Sequence, residues 1–164
     1  MIHLARGNYA DAGISALAIV PFIGDLGKAG KYGAKVLNKT DDIYAGVKQA
    51  SKYLKDQGVP RHNRKQILES FDVRTITVKK AGTNEFGLRY YDDINAQAKG
   101  RFLFDTFSAS RNSLALPTEW NQMTKIKQWQ IKEGATMFEG IAAPQQYYSG
   151  GRKQIFVPNL GDLF

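Results

Sequence analysis

The chain has 164 residues, of which 43% are apolar and 23% charged. That is enough for one ordinary domain with a small accessory unit, and too apolar for a disordered one. Twenty-three Lys and Arg against fifteen Asp and Glu give a net charge of +8, which favours nucleic acid, a phosphorylated ligand or an acidic protein as partner.

There is no cysteine, so disulfides, thiol nucleophiles and Cys-based metal sites are excluded. His3 and His62 are the only imidazoles. Neither has a second His at helical spacing, and no zinc site is expected. No EF-hand, P-loop or Rossmann glycine pattern occurs.

Residues 8–58 are rich in Ala, Gly and Lys. Asn8 or Asp11 can cap a helix running to Val20, where Pro21 stops it. A second helical stretch is expected from about Gly24 to Leu37. Its glycines, Gly27, Gly30 and Gly33, fall three apart and permit close packing or membrane contact. Thr40 followed by Asp41 and Asp42 signals a third helix through Leu54. The apolar run from Gly13 to Ile23 contains Pro21 and is far short of the about 20 residues that a membrane span needs. No signal-peptide cleavage site follows Arg6. A small helical hairpin is expected here, with transient membrane contact as the alternative.

Gln57-Gly58-Val59-Pro60 reads as a boundary. Residues 1–59 carry a net +3 and residues 60–164 a net +5, so the positive charge belongs to neither part alone. Aromatic and β-branched residues concentrate after the break. A short helix is expected from Asn63 to Phe71. The β-branched run Val73 to Val78 predicts a strand. Ala81-Gly82-Thr83-Asn84 predicts a turn, with Phe86 to Tyr91 pairing back as a hairpin. Asp92 to Lys99 is a loop or a short helix. Further strands are expected over Ile126 to Ile131, Ala135 to Ile141 and Gln154 to Val157. The expected fold is therefore α+β: an N-terminal helical segment, 1–59, followed by a small, mainly antiparallel sheet domain, 60–164.

Several side chains in this second part suit ligand chemistry. Arg89 precedes Tyr90 and Tyr91. Such a guanidinium can fork onto pyrophosphate while a neighbouring ring stacks on a base. An ordinary exposed strand arginine is the alternative. Thr106, Ser108, Ser110, Arg111, Asn112 and Ser113 form a hydroxyl- and amide-rich loop that either holds a ribose or amide group or is a solvated connection. Gly150-Gly151 permits close backbone approach. Gln154, at the lip of a buried strand, must find hydrogen-bond partners or face a cleft where a ligand supplies them. Glu139 is the other late polar candidate for a ribose hydroxyl.

Two resemblances follow from particular residues. His3 to Ser15, with Pro21-Phe22-Ile23-Gly24-Asp25, resembles the pretoxin segment of polymorphic bacterial toxins of the Rhs and contact-dependent growth-inhibition types. That likeness implies a C-terminal piece of a larger delivery protein. The second covers Phe86 to Val157. Gly100-Arg101-Phe102-Leu103, Leu114-Ala115-Leu116-Pro117, Gly140-Ile141-Ala142-Ala143-Pro144 and Gly150-Gly151-x-x-Gln154 occur in the order of the tuberculosis necrotizing toxin family. That family is similar in fold to ADP-ribosyltransferase toxins and cleaves NAD to nicotinamide and ADP-ribose. By this resemblance Gln154 matches the active-site glutamine, Arg89 the NAD-contacting arginine, and Phe102 an aromatic beside the nicotinamide. Arg101 and Arg111 are further candidates for the pyrophosphate. The family's histidine has no match in Lys125-Ile126-Lys127-Gln128-Trp129, and Arg152 and Lys153 stand where small residues are common.

The function implied is an antibacterial NAD glycohydrolase with NAD as substrate, no cofactor and no metal. It implies an acidic immunity protein as partner, delivery from the producing cell and action in the target-cell cytoplasm. Arg152, two residues before Gln154, occupies the place of a glutamate that would favour a protein acceptor, which tilts the reading toward hydrolysis. ADP-ribosyl transfer to protein or RNA remains an alternative. So do a metal-independent RNase using His62 with a Lys or Arg as acid and base and a non-enzymatic pore-forming or binding module built on residues 10–37.

Overall fold

The computed structural model describes residues 38–107 and 109–164, with side chains from residue 43 onward. The helices expected over residues 8–37, the pretoxin-like segment and Ser108 lie outside the described residues. Among those described, the chain forms three α-helices and one six-stranded antiparallel sheet. The helices are α1 (Asn38–Asp56), α2 (Arg61–Glu69) and α3 (Arg111–Leu114). The strands are β1 (Thr77–Lys80), β2 (Phe86–Tyr91), β3 (Phe102–Phe104), β4 (Lys125–Gln130), β5 (Thr136–Ile141) and β6 (Lys153–Phe156). Their order across the sheet is β1-β5-β6-β3-β2-β4. Among the described residues no helix is long and apolar enough to cross a membrane.

The central strands fix the two faces. Phe102 pairs with Phe156 and Phe104 with Gln154, while Phe138 and Gly140 oppose Phe156 and Gln154 on the other side. Because side chains alternate along a strand, these residues share one face, together with Leu88 opposite Phe104. Leu103, Met137 and Ile155 point the other way. They form a second core with Ile131, Ala135 and Leu163, closed by the C-terminal residues, where Phe164 exchanges backbone hydrogen bonds with Gln130.

The first face is covered in two pieces. At one end α1 buries Val47, Ala50 and Leu54, spaced to lie along one helical stripe. They pack with Leu68 and Phe71 onto Phe138 and Phe156. The Gln57-Gly58-Val59-Pro60 break is thus the turn between α1 and α2, and both helices share a core with the sheet. At the other end Ala109 and Leu114 pack on Leu88 and Phe104.

Two local expectations are corrected. Residues 73–75 form a 3-10 turn, not the start of a strand, because the Asp72 carboxylate accepts the Arg74 N–H. The extended run therefore begins only at Thr77. Nor do β1 and β2 form a hairpin. β1 pairs with β5 from Thr77↔Glu139 to Lys80↔Thr136, and β2 pairs with β4 and β3. A turn signal between two strand-like runs does not decide which strand buries which face. Two short elements absent from the sequence reading are β3 and α3, the latter closed by a Ser110–Ser113 capping box.

The tightest helix–backbone approach is at Gly46 of α1, where a side-chain carbon would overlap the Ile76 carbonyl. Backbone cannot yield as a side chain can. Gly46→Ala is expected to destabilise the fold by about 1–3 kcal/mol, read as a lowered urea midpoint at unchanged slope. An unchanged midpoint would contradict this packing.

Candidate functional site

The two covers of the first sheet face leave a cleft between them. Ser70, just after α2, stands on one side. Leu114 to Leu116, with Trp120 and Asn121, stand on the other, and Phe102 and Gln154 lie between them. The cavity measures about 80 Å³. A smaller lobe of about 50 Å³ shares Arg89, Phe102 and Gln154 with it. On the far side of Ser70 and Phe102 opens a groove of about 520 Å³, running under the α1–α2 turn and past Arg101.

Gln154 is held from one side only. Its Nε2 donates to Ser70 Oγ at 3.1 Å and, more weakly, toward Ser70 O at 3.4 Å. Ser70 Oγ in turn donates to Ile67 O at 2.6 Å. This chain fixes the amide orientation and leaves Oε1 as the acceptor available to a ligand. Gly140, facing Gln154 across β5 and β6, is required by Phe71, whose ring would meet a side chain there.

Arg89 reaches the same cleft by a different route. β2 and β3 meet in one register pair, Leu88↔Phe104. Beyond it the Arg89 guanidinium donates from Nε to Gln97 O at 2.8 Å and from Nη1 to Phe102 O at 3.0 Å. Its neighbour Gly100 leaves the space, since any side chain there would overlap the guanidinium. These two carbonyl acceptors help to fix the group's orientation.

The loop that carries Asn95 and Ala96 into the cleft wall is organised by Asp92. This carboxylate is 6% exposed. Oδ1 accepts the backbone N–H groups of Ile94, Asn95 and Ala96, and Oδ2 that of Gln122. Burial opposes its ionisation, but the four backbone donors outweigh burial and hold its pKa well below the usual carboxylate range.

Arg89, Phe102 and Gln154 thus line one cleft, as the sequence reading grouped them. Arg101 and Arg111 do not join them. Arg101 donates to Pro158 O and borders the larger groove. Arg111 donates to Leu116 O and Asn121 O, bracing the turn after α3. The hydroxyl- and amide-rich loop is a fastening. Asn112 bonds Ser149 through both amide atoms, and the backbone N–H of Arg152 donates to Ser113 O. The close approach allowed by Gly150 is to the carbonyls of Ala142 and Ala143. Glu139 lies on the opposite sheet face from Gln154, with Lys79 and Lys153 at 2.8 and 3.1 Å from Oε1. Burial works against its charge, yet the two ammonium groups lower its pKa. His62 is exposed on α2, beside Gln66, and lines neither cleft nor groove.

Ser70, Asn121 and Gln145 are cleft residues that the sequence reading did not single out. The signal for Gln145 was present: it is the first polar side chain after the apolar run Gly140-Ile141-Ala142-Ala143-Pro144.

No family model and no curated protein matches the sequence. Among solved structures the chain is similar to Tse6, determined in complex with Tsi6, with a TM-score of 0.57 and 17% identity over 73% of this chain and 93% of that one. It also overlaps Tne2, determined in complex with Tni2, with a TM-score of 0.45 and 13% identity over 54% of this chain and 85% of that one. At these identities the first likeness is one of fold.

Two outcomes are expected here. Asp92→Ala strands backbone donors and should cost on the order of 3 kcal/mol at neutral pH. Because the folded pKa is depressed, the carboxylate's contribution is fully present above about pH 4 and fades as pH falls below it. The wild-type advantage should therefore shrink in acid unfolding curves, and a constant gap across pH 2–7 would contradict the assignment. Gly100→Ala should evict the Arg89 guanidinium, a flexible group, and so lower activity while leaving the melting temperature within a few degrees. A large loss of stability would show that Gly100 serves the fold instead.

Proposed function

We propose that this chain is an antibacterial toxin domain that cleaves NAD to nicotinamide and ADP-ribose. The observation that carries the reading is the convergence of Arg89, Phe102 and Gln154 on one cleft. They come from three different strands, and the resemblance to the tuberculosis necrotizing toxin family assigns these three residues to NAD. The fold shared with Tse6 is consistent with it.

The cleft is too small for a dinucleotide, since sites that bury drug-sized ligands measure about 300–1,000 Å³. It can take at most the nicotinamide end, with the ribose at its mouth. The larger groove meets the cleft at Ser70 and Phe102 and offers room for the ADP portion. Arg89 places a fixed positive charge near the pyrophosphate. The Phe102 ring, backed by Phe156 at 4.9 Å between centroids, supplies an aromatic surface for the nicotinamide.

Breaking the nicotinamide–ribose bond passes through an oxocarbenium-like state, as in glycoside cleavage. Nicotinamide leaves with the bonding electron pair, which neutralises its ring nitrogen, so no acid need protonate it. Gln154 Oε1 accepts hydrogen bonds from the ribose hydroxyls, and the Ser70 bond keeps it from turning away. Catalysis then comes from positioning and electrostatics, which suits a cleft lined, among the described residues, by neither His nor a carboxylate. Water as acceptor completes hydrolysis. A protein or RNA acceptor would make the same cleft a transferase site.

A toxin of this kind requires an immunity protein in the producing cell. Tse6 was solved with a protein partner, which supports that expectation here, and the +8 charge favours an acidic one. Delivery into a target cell and action in its cytoplasm belong to the same reading.

The test is incubation with NAD, following nicotinamide release beside the integrity of total RNA. Nicotinamide release is expected, with RNA intact. Gln154→Ala should lower the rate by on the order of 100-fold. Arg89→Lys keeps the charge but loses the fork and should raise KM more than it lowers kcat. His62→Ala should match wild type. Cut RNA with unchanged NAD would sink the proposal.

A further inference from the structure

Two buried side-chain amides line the cleft, and they differ in one respect. Asn121 is 4% exposed and fully engaged. Its Nδ2 donates to Tyr90 O and its Oδ1 accepts the Met123 N–H, both at 2.8 Å. Gln145 is 3% exposed, and its Oε1 is buried with no hydrogen-bond partner. Leaving such an acceptor unserved costs about 1–3 kcal/mol, so an orphan of this kind at a cleft marks a place where a ligand supplies the donor.

The residue is held firmly. The Gln145 N–H donates to Tyr148 O and the Tyr148 N–H to Gln145 O, at 3.0 and 2.9 Å, closing a tight turn. Gln146 then anchors that turn through Nε2 to Glu119 Oε1 at 2.8 Å. The backbone that carries the acceptor is therefore fixed.

The surroundings narrow the donor. The cleft beside Gln145 is walled by Leu114, Ala115, Leu116, Trp120, Ala143 and Phe102. An alkylammonium would be desolvated there without a carboxylate to pair with, since none of the described residues lining the cavity carries one. A flat aromatic ring bearing a primary amide fits better. The rings of Trp120 and Phe102 can face such a ring, and can also face the delocalised positive charge of a pyridinium.

We propose that Gln145 is the specificity residue for the carboxamide of the substrate: its Oε1 accepts the amide N–H and thereby selects nicotinamide nucleotides over their nicotinic acid counterparts. This rests on the NAD-cleaving reading and deepens it. A carboxylate in the place of the amide has no N–H to give. It would also bring a negative charge against an acceptor oxygen in an apolar enclosure, so the acid form is refused twice over. Gln154 acts at the ribose and Gln145 at the far end of the leaving group, which separates their effects.

The experiment compares kcat/KM for NAD and for nicotinic acid adenine dinucleotide, in wild type and in Gln145→Met and Gln145→Glu. Wild type should prefer NAD by on the order of 100-fold or more. Gln145→Met keeps the length and burial of the side chain but has no strong acceptor. It should lower NAD cleavage by about tenfold and cut the preference for NAD by a similar factor. Gln145→Glu retains an acceptor and should keep the preference for NAD. The ratio is the deciding quantity, because a purely structural role would lower both substrates together. Equal cleavage of the two dinucleotides by wild type overturns the assignment to Gln145 and leaves NAD cleavage standing. A full preference surviving in Gln145→Met overturns it too, by showing that other groups read the amide. Cleavage of neither substrate by wild type overturns both this inference and the function it rests on.

Discussion

Among the described residues one sheet face is covered by two pieces of chain with a cleft between them, and the rest of the architecture depends on that. Phe138, Phe156, Phe102, Phe104 and Leu88 offer a continuous apolar surface. The α1–α2 pair covers one end and the segment around α3 covers the other. Burying this surface fully would need polar-free positions throughout, yet Gln154 stands in it. A buried amide without partners is costly. The seam between the two covers opens where that amide lies, so that Ser70 can serve one side of it and the cleft the other. The cleft is the gap that one polar residue on an apolar face demands.

The supports around it share a second trait: backbone atoms do most of the holding. Arg89 rests on two carbonyls, Asp92 gathers four N–H groups, and Arg111 caps two carbonyls. Loops held this way keep their shape without apolar cores of their own. That explains how a wall made largely of non-repetitive chain, residues 92–97 and 115–121, can present side chains at fixed positions. The charged groups used for bracing are directed at backbone. Glu139 is instead matched with lysines on the face turned away from the cleft.

Much of the strand content was legible in the sequence, because alternation and β-branching report half-buried strands directly. β2, β4, β5 and β6 fall close to where the pattern puts them. The partners were not legible. β1 and β2 sit in different parts of the sheet, since pairing is decided by which faces are buried together and not by the turn between them. Arg89, Phe102 and Gln154 were found through the order of short motifs. Ser70 and Gln145 were not: nothing local distinguishes a serine after a helix, and the one local mark of Gln145, its place directly after an apolar run, does not say what it faces. Their importance comes from what stands opposite them in space. Arg101 and Arg111 were grouped with them on charge, but Arg101 borders the larger groove and Arg111 braces the turn after α3.

The sheet order has a consequence for how the chain comes to be active. β1, early in the chain, lies beside β5, and β3 lies beside β6. The cleft draws on Ser70, Arg89, Leu114, Gln145 and Gln154 together. Non-local pairings of this kind form slowly, because a long loop must close before any contact rewards it. No fragment or half-formed intermediate contains the whole constellation, and an extended chain has none of it. The cleft is therefore complete only when all of these elements are assembled, and a chain held extended or threaded through a narrow passage carries none of it.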